Sequence, residues 1–285
     1  RAACGEECGG LGGLGASTEI ATEECMACAK ERGDSAKAIP AMSLLAAKPG
    51  EEGNPARAKP RIVALGSLEQ REWPREDRYA PVLSGSAARL LVPMAAEDGR
   101  RLKQGGCKNA FCGGTLPEDE AIAAKPPQGC PRPKRGALWK LSKALYGLAR
   151  SPHHWYKKIS SHLAEGMGFA AMGHGKCALK CQPFHGKPPM RIGLLADGFT
   201  CYSKPGEAEQ WLEASLKAHA KAGFMGGVSW LLGQRYGWLA GEQSNVPCRM
   251  PQQALIEAML CKLSLQRAAP AKAPRRPGCK IGRIE

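Results

Sequence analysis

The stretch "KALYGLARSPHHWYKKISSHLAEG" runs from Lys143 to Gly166. Gly147 marks a turn, since glycine alone enters the left-handed backbone region without steric cost. Ser151 is suited to cap a helix, and Pro152 then falls at the first helical position, where its missing N–H is harmless. Trp155, Ile159 and Leu163 recur every four residues, the spacing of one helix face. Gly166 is a stop signal. The stretch therefore predicts a tight turn followed by an amphipathic helix with a bulky buried stripe.

Working outward, "EAEQWLEASLKAHAKAG" (207–223) predicts a second helix. It has acids in its first turn, bases in its last, and Gly223 as its stop. Between the two lies "MRIGLLADGFTCYS" (190–203), an apolar run with a single carboxylate, Asp197, at its end. "SLLAAK" (43–48) and "KPRIVAL" (59–65) are further short apolar runs bounded by turn signals, as buried strands are. Strands and helices mixed in this order predict an α/β or α+β fold. "GGLGGLGAS" (9–17) predicts a flexible segment, and a short helix capped by Thr18 is expected across "TEIATEECMACAKER" (18–32).

The charge is uneven. The chain has 285 residues and a net charge of +15, and between Glu120 and Asp197 it carries thirteen bases against one acid, Glu165. Such an asymmetry points to a polyanion, with nucleic acid the first candidate. The 13 cysteines are odd in number, and without a secretory signal they are expected as reduced thiols. No apolar run has membrane-spanning length and no signal-peptide pattern opens the chain, which predicts an intracellular location, cytoplasm or nucleus.

"KALYGLARSPHHWY" (143–156) resembles the "KALYGLKQAPRAWY" signature of copia-type LTR-retrotransposon reverse transcriptases. Other blocks follow in the family's order. "EEGNPARAKPRIVALG" (51–66), "RYAPVLSGSAARLLVPMAAEDG" (78–99), "CKNAFCGGTLPEDEAIAAKPPQG" (107–129) and "GVSWLLGQRY" (227–236) are each similar to a family block. The resemblance covers residues 38–265 and implies an α+β palm-and-fingers polymerase fold that copies RNA into DNA with two Mg²⁺ ions. Residues 1–37 would be an irregular Gly/Cys-rich extension, and 266–285 a disordered, basic, Pro-rich tail. Residues 43–68 would form the fingers hairpin. Arg57, Lys59 and Arg61 on that hairpin, with Lys143, Tyr146, Gly147 and Arg150, would meet template or nucleotide.

Two-metal phosphoryl transfer needs several carboxylates, because paired cations must be neutralised by hard oxygen ligands. By resemblance, one aspartate precedes the "KNAF" block and two more occupy the palm hairpin. Here these positions hold Gly106, Asp197 and Gly198. Asp197 is the sole catalytic and Mg²⁺-binding carboxylate left, which predicts a chain without useful polymerase activity. Pro93 falls inside an expected palm helix and predicts a break or kink there.

The alternative is a nucleic-acid-binding or structural protein that uses the basic surface, with zinc at the N-terminus. Cys4, Cys8, Cys25 and Cys28 have spacing compatible with tetrahedral zinc. His174, Cys177, Cys181 and His185 have ligand-like spacing too, but a strand pair would divide them between two faces.

Overall fold

The computed structural model describes residues 9, 11–13, 15–24, 38–48, 57–69, 71–120, 122–128, 130, 136–173, 175–182, 189–203, 206–238, 248–251 and 253–267. Two sheets carry the architecture, each over its own apolar core. The first has five strands: β1 (Ser17–Ile20), β2 (Ile39–Lys48), β3 (Arg57–Ala64), β5 (Ile122–Lys125) and β6 (Leu138–Leu141), in the order β1-β6-β5-β2-β3. The second has six: β4 (Lys103–Cys107), β7 (Ala170–Met172), β8 (Gly175–Cys181), β9 (Met190–Leu194), β10 (Gly198–Tyr202) and β11 (Ala222–Gly227). Their order is β11-β4-β10-β9-β8-β7, antiparallel throughout. The result is the mixed α+β class expected of a reverse-transcriptase domain.

The apolar runs at 43–48, 59–65 and 190–196 fall where strands were expected. β2 and β3 pair in register from Ala41↔Ala64 to Lys48↔Arg57. Helices α1 (Gly85–Glu97), α2 (Ser151–Ser161) and α3 (Glu207–Ala220) supply the six-stranded sheet's core. α4 (Gln253–Lys262) follows two short pairings, Trp230–Leu231 with Gln234–Arg235 and Gly237–Trp238 with Cys248–Arg249. The predicted stripe of α2 is buried: Trp155 and Ile159 are 4% exposed and Leu163 is 0%. Among the described residues no helix is long and apolar enough to cross a membrane.

Several local expectations are corrected. Pro93 does not break α1, which runs from Gly85 to Glu97 with the Ser84 hydroxyl accepting from the Ala87 amide at 3.1 Å. Pro93 and Arg89 are both exposed, so the carbonyl deprived of an amide partner lies toward water, while Ala88, Leu91, Val92 and Ala95 hold the buried face. Ser151 is the first residue of α2 rather than its cap, and its hydroxyl donates to the Leu145 carbonyl at 2.6 Å. α3 ends at Ala220 because Lys221 turns left-handed (φ +49°), and Gly223 belongs to β11. The segment from Thr18 begins as a strand: Ser17–Ile20 pairs with Leu141–Leu138, and Leu11 and Ala16 are buried in the five-stranded sheet's core. Residues 22–24 are helical as expected, and the rest of that expected helix, from residue 25, lies outside the described residues, as does the tail from residue 268.

Phe199 fills the centre of the six-stranded sheet. It is 1% exposed, and a Cβ on Gly105 of the neighbouring strand would fall 2.2 Å from its ring. Glycine at 105 is thus the space the ring occupies. Phe199→Ala is expected to cost about 3–5 kcal/mol, read as a lowered midpoint in urea unfolding with the slope unchanged.

Candidate metal and nucleic-acid site

Asp197 sits at the tip of the β9–β10 hairpin, exposed to solvent. The hairpin closes with Phe199 opposite Leu194, and the Leu195 amide donates to the Gly198 carbonyl at 2.8 Å. On its other side β10 pairs with β4 so that Gly198 lies opposite Gly106. The Cys107 amide then donates to the Asp197 carbonyl at 2.9 Å. Positions distant in the chain, 106 against 197 and 198, are thereby brought to one point of the sheet.

Among the described residues that point has one carboxylate. Glycines 106 and 198 contribute no side-chain oxygen, and the adjacent thiol, Cys107, is pushed up to about 11 by burial and by the negative charge of Asp197. It is a protonated thiol at neutral pH and a poor ligand for a hard cation. Other acids nearby in sequence do not fill the gap. Asp98 pairs with Arg191 at 3.0 Å, at the end of the hairpin away from Asp197. Glu97, Glu118 and Asp119 are exposed at a helix end and on a short 3-10 turn. Glu120 is buried against Arg150 and His154. The described residues at this point do not fit a pair of Mg²⁺ ions.

The two glycines differ in what they would accept. A Cβ at Gly106 would have Met225 Cε, 3.7 Å away, as its nearest neighbour, whereas a Cβ at Gly198 would lie 2.6 Å from the Gly105 carbonyl oxygen. A side chain at 106 has room. One at 198 must displace backbone in the middle of a paired strand.

The block at 143–150 forms the junction between the sheets. Gly147 has φ +92°, and a Cβ there would lie 2.1 Å from the Ala64 carbonyl oxygen, so the position is set by the turn. The Ala64 amide in turn donates to the Tyr146 carbonyl at 2.7 Å. Tyr146 packs against Phe111, with ring centroids 5.0 Å apart, and the Arg61 guanidinium lies 5.7 Å from its centroid. Lys143 is fixed through its backbone amide, which donates to the Ala16 carbonyl at 3.3 Å. The backbones of Arg57 and Lys59 open β3; their side chains are outside the described residues.

Arg150, expected from the sequence to face nucleic acid, is turned inward. Its guanidinium pairs with Glu120, donates to the Asp77 carbonyl at 3.4 Å, and stacks 4.4 Å from the Trp73 ring centroid. Trp73 donates to Glu69 at 3.1 Å, and Glu69 also accepts from the Ala149 amide at 2.7 Å. The second Glu120 oxygen meets His154 Nε2 at 2.9 Å. Burial lowers the pKa of His154, against the opposing pull of Glu120. This network was invisible in the sequence because "PEDE" (117–120) reads as a solvated loop, and nothing local marks its last carboxylate as buried.

The proposed zinc ligands Cys4, Cys8, Cys25 and Cys28 lie outside the described residues, as do His174 and His185. Cys177 and Cys181 are buried. Burial pushes Cys177 up to about 11 and raises Cys181, whose thiol lies 3.1 Å from the Met167 carbonyl.

Gly106→Asp is expected to fold with a loss below about 1 kcal/mol, and Gly198→Asp to lose about 1–3 kcal/mol through overpacking. Thermal unfolding of the two variants side by side tests the difference. Equal losses would mean that the strand spacing at 198 yields freely.

Sequence comparison supplies the family. A model described as reverse transcriptase (RNA-dependent DNA polymerase) matches residues 30–277. The Retrovirus-related Pol polyprotein from transposon RE1 of Arabidopsis thaliana is 29% identical over 116 residues, 41% of this chain and 8% of that protein. The corresponding polyprotein from transposon TNT 1-94 of Nicotiana tabacum is 24% identical over 223 residues, 76% of this chain and 16% of that protein. The chain thus spans only a small part of the relatives it matches. Reverse-transcriptase domains as a family generally use divalent metal ions. Taken with the ordered blocks from 51 to 236, these matches show that the chain belongs to the reverse transcriptase (RNA-dependent DNA polymerase) family, in its copia-type retrotransposon form.

Proposed function

We propose that this chain is a reverse-transcriptase domain whose two-metal chemistry is lost and whose remaining activity is contact with nucleic acid. The observation that carries the reading is the pairing of Gly198 with Gly106 beside Asp197. If the family's three aspartates map as the sequence blocks align, all three positions meet at one point of the sheet, and only one bears a charge. Two divalent ions held about 3.5–4 Å apart, the usual spacing in such sites, need more negative charge than a single exposed carboxylate provides. Loss of one transition-state group alone commonly costs on the order of 10²–10³-fold in rate. Two missing ligands leave neither ion placed.

In this reading the domain spans residues 38–265, with β2 and β3 as the fingers ribbon and the six-stranded sheet with α1, α2 and α3 as the palm. Contact with nucleic acid demands less than catalysis. It depends on positive charge near phosphates, and its strength falls as salt displaces the released counterions. Arg57 and Lys59 on the ribbon, together with the twelve bases other than Arg150 between 120 and 197, supply that charge. Arg150 is excluded from the phosphate contacts because its guanidinium is taken by Glu120, Asp77 and Trp73.

Primer extension on an RNA template with Mg²⁺ or Mn²⁺ is expected to show no product from the folded chain. Product that disappears in Asp197→Ala would overturn the loss of catalysis. In the same preparation, affinity for an RNA/DNA duplex is expected to fall linearly with salt on logarithmic axes. Arg57→Ala and Lys59→Ala are each expected to flatten that slope by about 1. Binding without salt dependence would remove the basic surface from the account.

A further inference from the structure

The end of α2 meets the end of α3 through two histidines. The rings of His162 and His219 stack face to face, centroids 3.8 Å apart and planes within 4°. His162 is the first residue of a π-helical turn, His162–Gly166, that continues α2. A Cβ on Gly166 would lie 3.2 Å from His162 Nδ1, so a glycine there leaves the ring its place. On the other edge His162 Nε2 meets the Ser215 hydroxyl at 2.9 Å, and that hydroxyl also lies 3.2 Å from Met167 Sδ. His219 Nε2 is buried and has no hydrogen-bond partner among the described residues.

The charges around the stack are one-sided. Lys158, one turn before His162, donates to the Gly113 carbonyl at 3.0 Å and acts on both rings. Lys143 and Lys221 act on Lys158. Among the described residues no carboxylate pairs with either histidine. Glu213 and Lys217 of α3 are engaged with each other at 3.2 Å and turned toward Lys103 and Phe224. Glu165 in the π-helical turn is exposed.

We propose that the α2–α3 seam is an acid-released latch, closed while both imidazoles are neutral and opened when they take protons. Two imidazolium rings in van der Waals contact repel, and the Lys158 ammonium adds to the repulsion. A buried Nε2 with no acceptor beside it has nowhere to place a proton's charge. π-Helical turns concentrate where a helix departs from regular packing for a functional reason. Opening frees the last turns of α3, from Leu216 to Ala220, and with them the entry to β11.

Burial and then Lys158 lower the pKa of His162; burial, then His162, then Lys158 lower that of His219. The folded values therefore lie below the ordinary 6.5 of the unfolded chain. The sign follows. Stability from the neutral pair is complete above pH 6.5 and is lost as pH falls from there toward the folded values.

The test is urea unfolding of the full chain between pH 7.5 and 5.0, for wild type and for His162→Gln/His219→Phe. Burial lowers the pKa of His154 as well, so the readout is the difference between the two proteins. Below about pH 6.5 the unfolding constant of the wild type is expected to rise more steeply than that of the double mutant, by up to about tenfold per pH unit for each histidine. Identical pH dependence would overturn the latch. Hydrogen exchange corrected for intrinsic rates is expected to show at least about tenfold loss of protection at 216–220 between pH 7.5 and 5.5 while β9 and β10 stay protected; a uniform loss would overturn it. If the double mutant does not fold, NMR titration of the wild-type imidazoles decides. Both must titrate below 6.5, and either one at or above that value overturns the latch.

Discussion

A single buried carboxylate, Glu120, fixes how the two sheets meet. It ends the 3-10 turn that leads into β5 of the five-stranded sheet, and both of its oxygens are taken by residues at the start of α2, Arg150 and His154. The remainder of α2 packs into the other core through Trp155, Ile159 and Leu163. A buried ion pair adds little when compared with a well-packed apolar contact, but breaking one leaves a charge without a partner at a cost of about 3–5 kcal/mol. The pair thus dictates geometry more than it adds stability. Once Arg150 must reach Glu120, the turn at Gly147, the docking of Trp73 on the guanidinium and the seat of Glu69 on the Ala149 amide follow from its position.

What the sequence disclosed was what short-range periodicity encodes. The Trp155, Ile159, Leu163 stripe, the β2–β3 pairing and the apolar strand before Asp197 each depend on residues within a few positions of one another. Their signal survives without knowledge of the fold. That α1 runs unbroken through Pro93 was not legible, because the cost of an interior proline depends on whether the orphaned carbonyl meets water, which only tertiary placement decides. Ser17–Ile20 became a strand because Leu138–Leu141 offers it a ladder more than a hundred residues away, a pairing that outweighs the helical preference of its own neighbours. Arg150 and Glu120, thirty residues apart, and His162 and His219, fifty-seven apart, carry no local sign of contact. The proposed site divides in the same way. Asp197 and the absent carboxylates were legible as residue types, but the juxtaposition of Gly106 and Gly198 needed the register of β4 with β10.

On the proposed reading, that register also accounts for how such a site could lose its chemistry and still keep its strands. A β-ladder is held by backbone groups, and the Cys107 amide still reaches the Asp197 carbonyl with glycine on either side. Carboxylates gathered at one point repel one another whenever no cation lies between them, and each raises the pKa of the next. On the proposed mapping, glycine at two of the three positions would remove that repulsion and ask nothing of the hairpin's own hydrogen bonds. The replacements are not equivalent afterwards. At 106 the neighbouring atoms would leave a side chain free, while at 198 the Gly105 carbonyl stands where a Cβ would go. On the proposed mapping, a carboxylate would be accepted more readily at 106, near the end of β4, than at 198 in the strand beside it. The tighter position is the one next to Asp197 on the hairpin. The basic surface has no comparable lock, because a phosphate contact tolerates displacement that metal coordination does not.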